Sequence, residues 1–265
     1  MLPLLVKNKE ELLMHKRLQV LRIGPTFMEY TKYKHQLEKT DQVNQLPQPE
    51  LTDPTPTEFP LFDLPAPGDL QVGKVDLSEA INRRVSVRKY AEKPLTLMEL
   101  SYLLWSTQGI KEITNRPATL RTVPSAGSRH SFETYLLVNR VEGLQPGLYQ
   151  YCALDHKLAL HSTADTLAED LTKVCHRQGM VRNSAVTFFW AAEIYRNVWR
   201  YTERAYRYVH LDAGHVCQNL YLACEAIDSG CCGIAAFDDD ELSQLLGIDG
   251  IDRFPVYLAT VGKKD

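Results

Sequence analysis

Between Thr134 and Leu160 the chain carries three short β-rich runs, Thr134–Val138, Leu148–Tyr151 and Lys157–Leu160, separated by Gly143, Pro146-Gly147 and Asp155-His156. Runs of this length divided by turn residues read as an antiparallel meander. A helix near 164–178, a buried strand near 185–193 and a long helical pattern from about 203 to 227 follow, with Gly230 as the stop. Strands in one run and long helices after them specify an α+β fold, because a doubly wound parallel sheet needs strand and helix to alternate. The end repeats the logic on a smaller scale. A strand through Ile234–Phe237 leads to a helix opened by Asp238-Asp239-Asp240 and a last strand Val256–Val261, closed by Gly262-Lys263-Lys264. Upstream, Leu77, Ala80 and Ile81 mark a short helix, and Thr96-Leu97-Met98-Glu99 is a capping box that opens another.

Seven of the 14 prolines (Pro47, Pro49, Pro54, Pro56, Pro60, Pro65 and Pro67) crowd into one stretch. Proline lacks the amide donor that helices and central strands require, so residues 47–67 read as an extended arm that wraps or links something. The division is therefore an N-terminal extension over 1–75 and a compact domain over 76–265. At 265 residues, 44% hydrophobic and 24% charged, the chain can bury a full core. A formal net charge of -3 gives no reason to expect nucleic acid or an anionic membrane as partner. The apolar run Met1–Val6 meets Lys7, Lys9, Glu10 and Glu11 at once, too soon for a signal sequence or a membrane span, and the expected location is the cytoplasm.

The six cysteines form no Cys-x-x-Cys pair. Vicinal Cys231-Cys232 reads as two small residues entering a buried strand, with a redox pair as the sharper alternative. The eight histidines are scattered without metal-ligand spacing, so no metal is expected; His130, His210 and His215 read as hydrogen-bonded polar residues. No Gly-x-Gly-x-x-Gly follows a strand and no Gly-x-x-x-x-Gly-Lys-Ser/Thr occurs, which sets aside Rossmann dinucleotide binding and P-loop chemistry.

Two other stretches carry chemistry. In Arg84-Val85-Ser86-Val87-Arg88-Lys89-Tyr90, two guanidiniums and a hydroxyl alternate with Val85 and Val87, so one edge can face an anion and the other a core. In Arg121-Thr122-Val123-Pro124-Ser125-Ala126-Gly127, a tight loop of small residues lets a flat ring lie close to the backbone. A phosphate grip and a bed for a ring point to flavin mononucleotide (FMN). Arg84 and Ser86, with Lys263 or Lys264, would neutralise its phosphate. Reduction of the ring needs a positive group near N1/O2 and a backbone donor near N5; Arg88 and the amides at Ala235-Ala236 are the candidates. On the long helix, Leu211, His215, Gln218 and Leu222 share a stripe beside Gly214, where a ring or a backbone can approach, which makes Gln218 a candidate cofactor-binding residue. A core helix with a hydrogen-bonded His-Gln pair explains the stripe equally well.

The order of blocks resembles the nitroreductase superfamily, and within it the SagB-type flavin dehydrogenases. The likeness runs from Asp76 to Lys263. It rests on Arg83–Tyr90, Glu99–Trp105, Pro124–Gly127 with Phe132-Glu133, Gly147–Tyr149, Arg204–Tyr208, Asp212–Leu220 and Gly233–Phe237. It implies a nitroreductase-like central mixed or antiparallel sheet flanked by helices and a homodimer with flavin at the interface. Arg84, Ser86 and Arg88 would come from one subunit and Pro124, Ser125, Ala126 and Gly127 from the other. The expected activity is FMN-dependent hydride transfer from NAD(P)H to a small organic acceptor by ping-pong chemistry. The alternative is an azoline oxidase or a flavin-holding scaffold in a peptide-modifying complex, its proline-rich arm docking a partner. The azoline-oxidising members carry a catalytic Lys-Tyr pair where this chain has Arg200-Tyr201, so the resemblance makes Arg200 and Tyr201 the candidate catalytic residues. A guanidinium stays protonated and cannot serve as a general base near neutral pH.

Overall fold

The computed structural model describes residues 22–69 and 73–265; the Met1–Val6 run and the charges after it lie outside the described residues. Residues 22–30 are helical (α1). The central sheet has seven strands: β1 Leu61–Asp63, β4 Phe132–Val138, β5 Gly147–Cys152, β6 Lys157–Ser162, β7 Val186–Glu193, β8 Ser229–Ile234 and β9 Arg253–Lys263. Their order is β1-β6-β5-β4-β7-β9-β8, antiparallel throughout. A separate hairpin pairs β2 Ile110–Ile113 with β3 Thr119–Arg121. The expected meander is β4-β5-β6, and the fold is α+β.

Alternation along the strands builds a core on each face of the sheet. Phe132, Leu136 and Val138 of β4 join Phe188, Trp190 and Ala192 of β7 in one core, under α3 (Leu97–Gln108) and α7 (Ala205–Ala226). Tyr135, Leu137, Phe189 and Ala191 point the other way, under α4 (Leu167–Val174), α5 (Met180–Asn183) and α8 (Asp239–Leu246). Each large side chain fully withdrawn from water contributes about 1.5–3 kcal/mol, which is why both faces are needed to hold a sheet this wide. Cys231 packs in the first core and Cys232 in the second, and all six cysteines are free and buried.

Local signals set the helix starts. Thr96 Oγ1 accepts from the Glu99 amide while Glu99 Oε2 accepts from the Thr96 amide, the reciprocal box that starts α3. Asp76 caps α2 (Leu77–Arg83), and Asp238 caps α8 by accepting from the Glu241 amide at 2.9 Å.

Two elements differ from the sequence reading, and a third, the proline-rich arm, takes one of its two expected roles. The strand expected at 234–237 lies earlier, at β8, because Asp228 adopts φ 51° and turns the chain straight into the sheet. Gly230 is therefore a packing notch, not a helix stop: a Cβ there would lie 2.5 Å from that of Val87. The helix expected over 164–178 ends at Val174, since His176 and Arg177 take φ 52° and 59° before α5. The proline-rich arm is extended and wraps the domain: its end pairs as β1 with β6 and covers that sheet edge.

The arm is also fastened by charge. Asp53 takes Arg196 at 2.9 Å and Arg253 at 2.7 Å, and its amide donates to Glu133 at 3.0 Å. Arg196, 3% exposed, also meets the buried Glu133 at 2.5 Å. Arg196 lies on α6 (Tyr195–Tyr201), and the extension grips that helix elsewhere too. The Trp199 indole donates to the Leu46 carbonyl at 3.1 Å, the Gln42 amide donates to the Trp199 carbonyl at 2.9 Å, and the Tyr195 hydroxyl donates to Asp41 at 3.0 Å. Among the described residues, no helix is long and apolar enough to cross a membrane, and no cluster of three potential metal ligands occurs.

Candidate functional site

The chain leaves α2 at Arg84 and runs extended along the outer edge of β8, where Ser86 bridges Cys231 and the Val87 amide donates to the Cys231 carbonyl at 2.9 Å. Val87 fills the notch at Gly230, whereas Val85 is 56% exposed. Only one of the two valines thus faces the core, because a single bridge pins the segment. Tyr221 of α7 organises the polar edge. Its hydroxyl lies 3.1 Å from Ser86 Oγ and accepts from the Gly233 amide at 2.7 Å, and its ring carries the Arg84 guanidinium at 5.3 Å. Arg88 donates to the Ser86 carbonyl at 3.3 Å. Neither Arg84 nor Arg88 has a carboxylate partner among the described residues. Ala235 and Ala236 follow β8, exposed, just beyond Gly233.

The other basic candidates are paired. Lys263 is buried against Glu99 at 2.5 Å and the Ile227 carbonyl at 2.7 Å; Lys264 meets Glu225, which also takes Arg83 at 3.6 Å. Sequence alone could not see these carboxylates, which stand on α3 and α7.

The Pro124–Gly127 loop is stapled to α7 by Asp212. Ser125 Oγ donates to that carboxylate at 2.7 Å and the Ala126 amide at 3.2 Å. Burial raises the Asp212 pKa, and these two hydrogen bonds oppose the rise. Gly127 sits at φ 58°, ψ 22°, where a Cβ would lie 2.3 Å from the Tyr201 hydroxyl and 3.0 Å from Arg200 Cδ and Nε. The structure thus brings Arg200 and Tyr201 against Gly127 within one chain. Gln218, with Leu211, Gly214 and His215, lies on the outward side of α7, so the core-helix account of that stripe does not hold. Two residues without a local cue in sequence are Tyr221, a tyrosine on a mixed helix, and Arg129, whose Nε donates to the Gly127 carbonyl at 3.2 Å.

His130 ends this loop, buried at φ 45° with its amide donating to Ser125 Oγ. Burial, then the Arg121 charge, pushes its pKa down to about 3. The fold therefore holds a neutral ring that the unfolded chain protonates near pH 6.5. The resulting stability is complete above that pH and is lost as the pH falls through about 3. Between pH 7 and 4.5, His130→Asn, which tolerates the left-handed backbone, should lose about 2–3 kcal/mol less stability than the parent. Parallel urea titrations at the two pH values measure this, and equal losses would remove His130 from the acid limb.

Comparison with known proteins agrees with this architecture. The nitroreductase family matches residues 81–263. A nitroreductase-family protein of Methanocaldococcus jannaschii is 31% identical over 193 residues, covering 73% of this chain and 93% of its own. The trifolitoxin-processing protein of Rhizobium leguminosarum is 24% identical over 175 residues, 63% of this chain and 47% of its own. A crystal structure of a nitroreductase-family protein from Anabaena variabilis superposes with a TM-score of 0.64 at 27% identity over 79% of this chain. The matched region is 42% of that longer chain. The chain belongs to the nitroreductase family, a family of oxidoreductases.

Proposed function

We propose that this protein is an FMN-dependent oxidoreductase that transfers hydride from NAD(P)H to a small organic acceptor by ping-pong chemistry. The observation that carries the reading is the polar edge along β8. Arg84, Ser86 and Arg88 stand together on an outward edge, with no acid of the described chain to neutralise the two guanidiniums, where a dianionic phosphate fits. FMN, when bound, supplies a ring that accepts hydride from one reactant and returns it to the next. Arg84 and Ser86 hold the phosphate, Arg88 balances charge on the reduced ring, and the exposed Ala235 and Ala236 amides are available to its edge. Lys263 and Lys264 join the phosphate only by exchanging Glu99 and Glu225, so their part is smaller than that of Arg84.

The ring bed at Pro124–Gly127 belongs to the other subunit of a homodimer. Asp212, which holds that loop, and Tyr221, which holds the Ser86 edge, are nine residues apart on α7. That spacing puts them on opposite sides of the helix and about 13 Å apart along its axis. A second copy joins one loop to the other edge without crossing packed protein. Leu77, Ile81 and Val85, with Leu211 (58% exposed), supply outward apolar surface for it.

A purified protein with flavin absorbance supports this reading, and a colourless one that also fails to take up FMN overturns it. Arg84→Ala should weaken FMN binding by about 2–3 kcal/mol and riboflavin binding far less, since riboflavin lacks the phosphate. Equal losses would move the phosphate elsewhere.

The likeness to a trifolitoxin-processing protein favours a second reading, a subunit of a peptide-modifying complex. Azoline oxidation with Arg200 as general base is disfavoured by the guanidinium's fixed charge. Docking through the arm is disfavoured because the arm is engaged by its own sheet and by Arg196. Co-purification with a cyclodehydratase would restore that reading.

A further inference from the structure

Arg129 and Arg200 converge on Gly127. Arg129 is 6% exposed, bonded through Nε to the Gly127 carbonyl, with its guanidinium 5.6 Å from the Trp199 ring. Arg200, half-buried on α6, presents Cδ and Nε to the same glycine, 3.0 Å from where its Cβ would lie. Burial lowers the Arg129 pKa, and the positive Arg200 and Arg116 lower it further. Neither Arg129 nor Arg200 has an acidic partner within 4.0 Å among the described residues; of the other buried arginines, Arg196 has two and Arg121 directs its donors to Thr119, Gln108 and the Leu51 carbonyl. Gathering like charges in a desolvated place is unfavourable unless an anion completes it. The surrounding backbone is strained as well: Ser128, His130 and Thr202 take φ 54°, 45° and 47° beside Gly127 at 58°.

We propose that Arg129 and Arg200 bind an oxyanion of a reactant, a carboxylate or a phosphate, against the Gly127 loop. The proposal rests on the flavin reading only in making that anion part of a molecule facing the ring; the site itself is formed by this chain alone. It gives Arg200 a task that suits a permanently charged fork, holding an anion in two-point contact, where proton abstraction does not suit it. Two sources share the chemistry, the carboxylate of an acidic acceptor and the 2′-phosphate that NADPH carries and NADH lacks.

The test titrates the purified protein with benzoate, benzamide and inorganic phosphate, read by tryptophan fluorescence and by thermal shift. Benzoate or phosphate should bind and benzamide should not. Arg129→Met, which keeps an apolar stem over Trp199, should weaken anion binding by roughly tenfold or more. Arg200→Met on the half-buried side repeats the test should Arg129→Met fail to fold. With flavin loaded, rates for 4-nitrobenzoate and 4-nitrobenzamide and the NADPH-to-NADH ratio of kcat/KM separate the sources. A benzoate preference lost in the variants identifies the acceptor, and an NADPH preference lost in them identifies the nucleotide. No anion binding to the parent, or binding that survives both substitutions, overturns the site. A colourless protein that still binds benzoate through these arginines refutes the flavin reading and leaves the anion site standing.

Discussion

Arg196→Met should lower the free energy of unfolding by about 3–5 kcal/mol, the largest stability effect expected of any single side chain discussed above. Arg196 is almost wholly buried and bridges Glu133 at 2.5 Å and Asp53 at 2.9 Å. Removing it leaves Glu133, 4% exposed, as a buried carboxylate held, among the described residues, by the Asp53 amide. Asp53 keeps Arg253, so the arm should loosen without detaching. Glu133→Leu combined with Arg196→Met should recover part of the loss, because an absent ion pair is less unfavourable than half of one. Urea unfolding of the two variants measures this, and limited proteolysis within residues 47–67 reports on the arm. A single variant within about 0.5 kcal/mol of the parent would show that the clasp is not structural. The consequence reaches the site, since Arg196 and Arg200 are one helical turn apart on α6, and loosening the clasp should blur the position of Arg200 against Gly127.

The second large effect is expected at Gly127. Valine there must hold a β-branched side chain at φ 58°, with its Cβ 2.3 Å from the Tyr201 hydroxyl and 3.0 Å from Arg200. The left-handed backbone alone costs about 1–2 kcal/mol for an ordinary residue, and relieving the clash displaces α6 or the loop. Gly127→Val should therefore be isolated with little flavin and with a lower Tm than the parent. Gly214→Val is the comparator. A Cβ at Gly214 meets nothing within 4 Å on the outward side of α7, so its effect should appear in dimerisation and leave monomer stability intact. Flavin absorbance and sedimentation across a dilution series, with and without added FMN, read both variants. A Gly127→Val protein with full flavin would mean that Pro124–Gly127 is a surface turn after all. A fully flavinated monomer at low concentration would refute the shared site.

What the sequence determined by itself is whatever depends on residues close together along the chain or on a period in their burial. The capping box at Thr96 and Glu99, the meander of β4, β5 and β6, the long helix α7 and the α+β class are of this kind, and so is the order of blocks that marks the family. Chemical type was legible too: two arginines and a serine alternating over Arg84–Arg88, and small residues over Pro124–Gly127. Only the tertiary structure decided which cations keep a free charge. Lys263 and Lys264 look as available in sequence as Arg84, yet Glu99 and Glu225 neutralise them from 164 and 39 residues away. The same holds for the arm, which reads only as something that wraps or links, because proline fixes no more than its local shape. Its attachment depends on Asp53 meeting Arg196 and Arg253, 143 and 200 residues further on. Local propensity carries no information about such pairs, because burial is what gives a charge its need for a partner, and burial is settled only when the sheet and helices have packed.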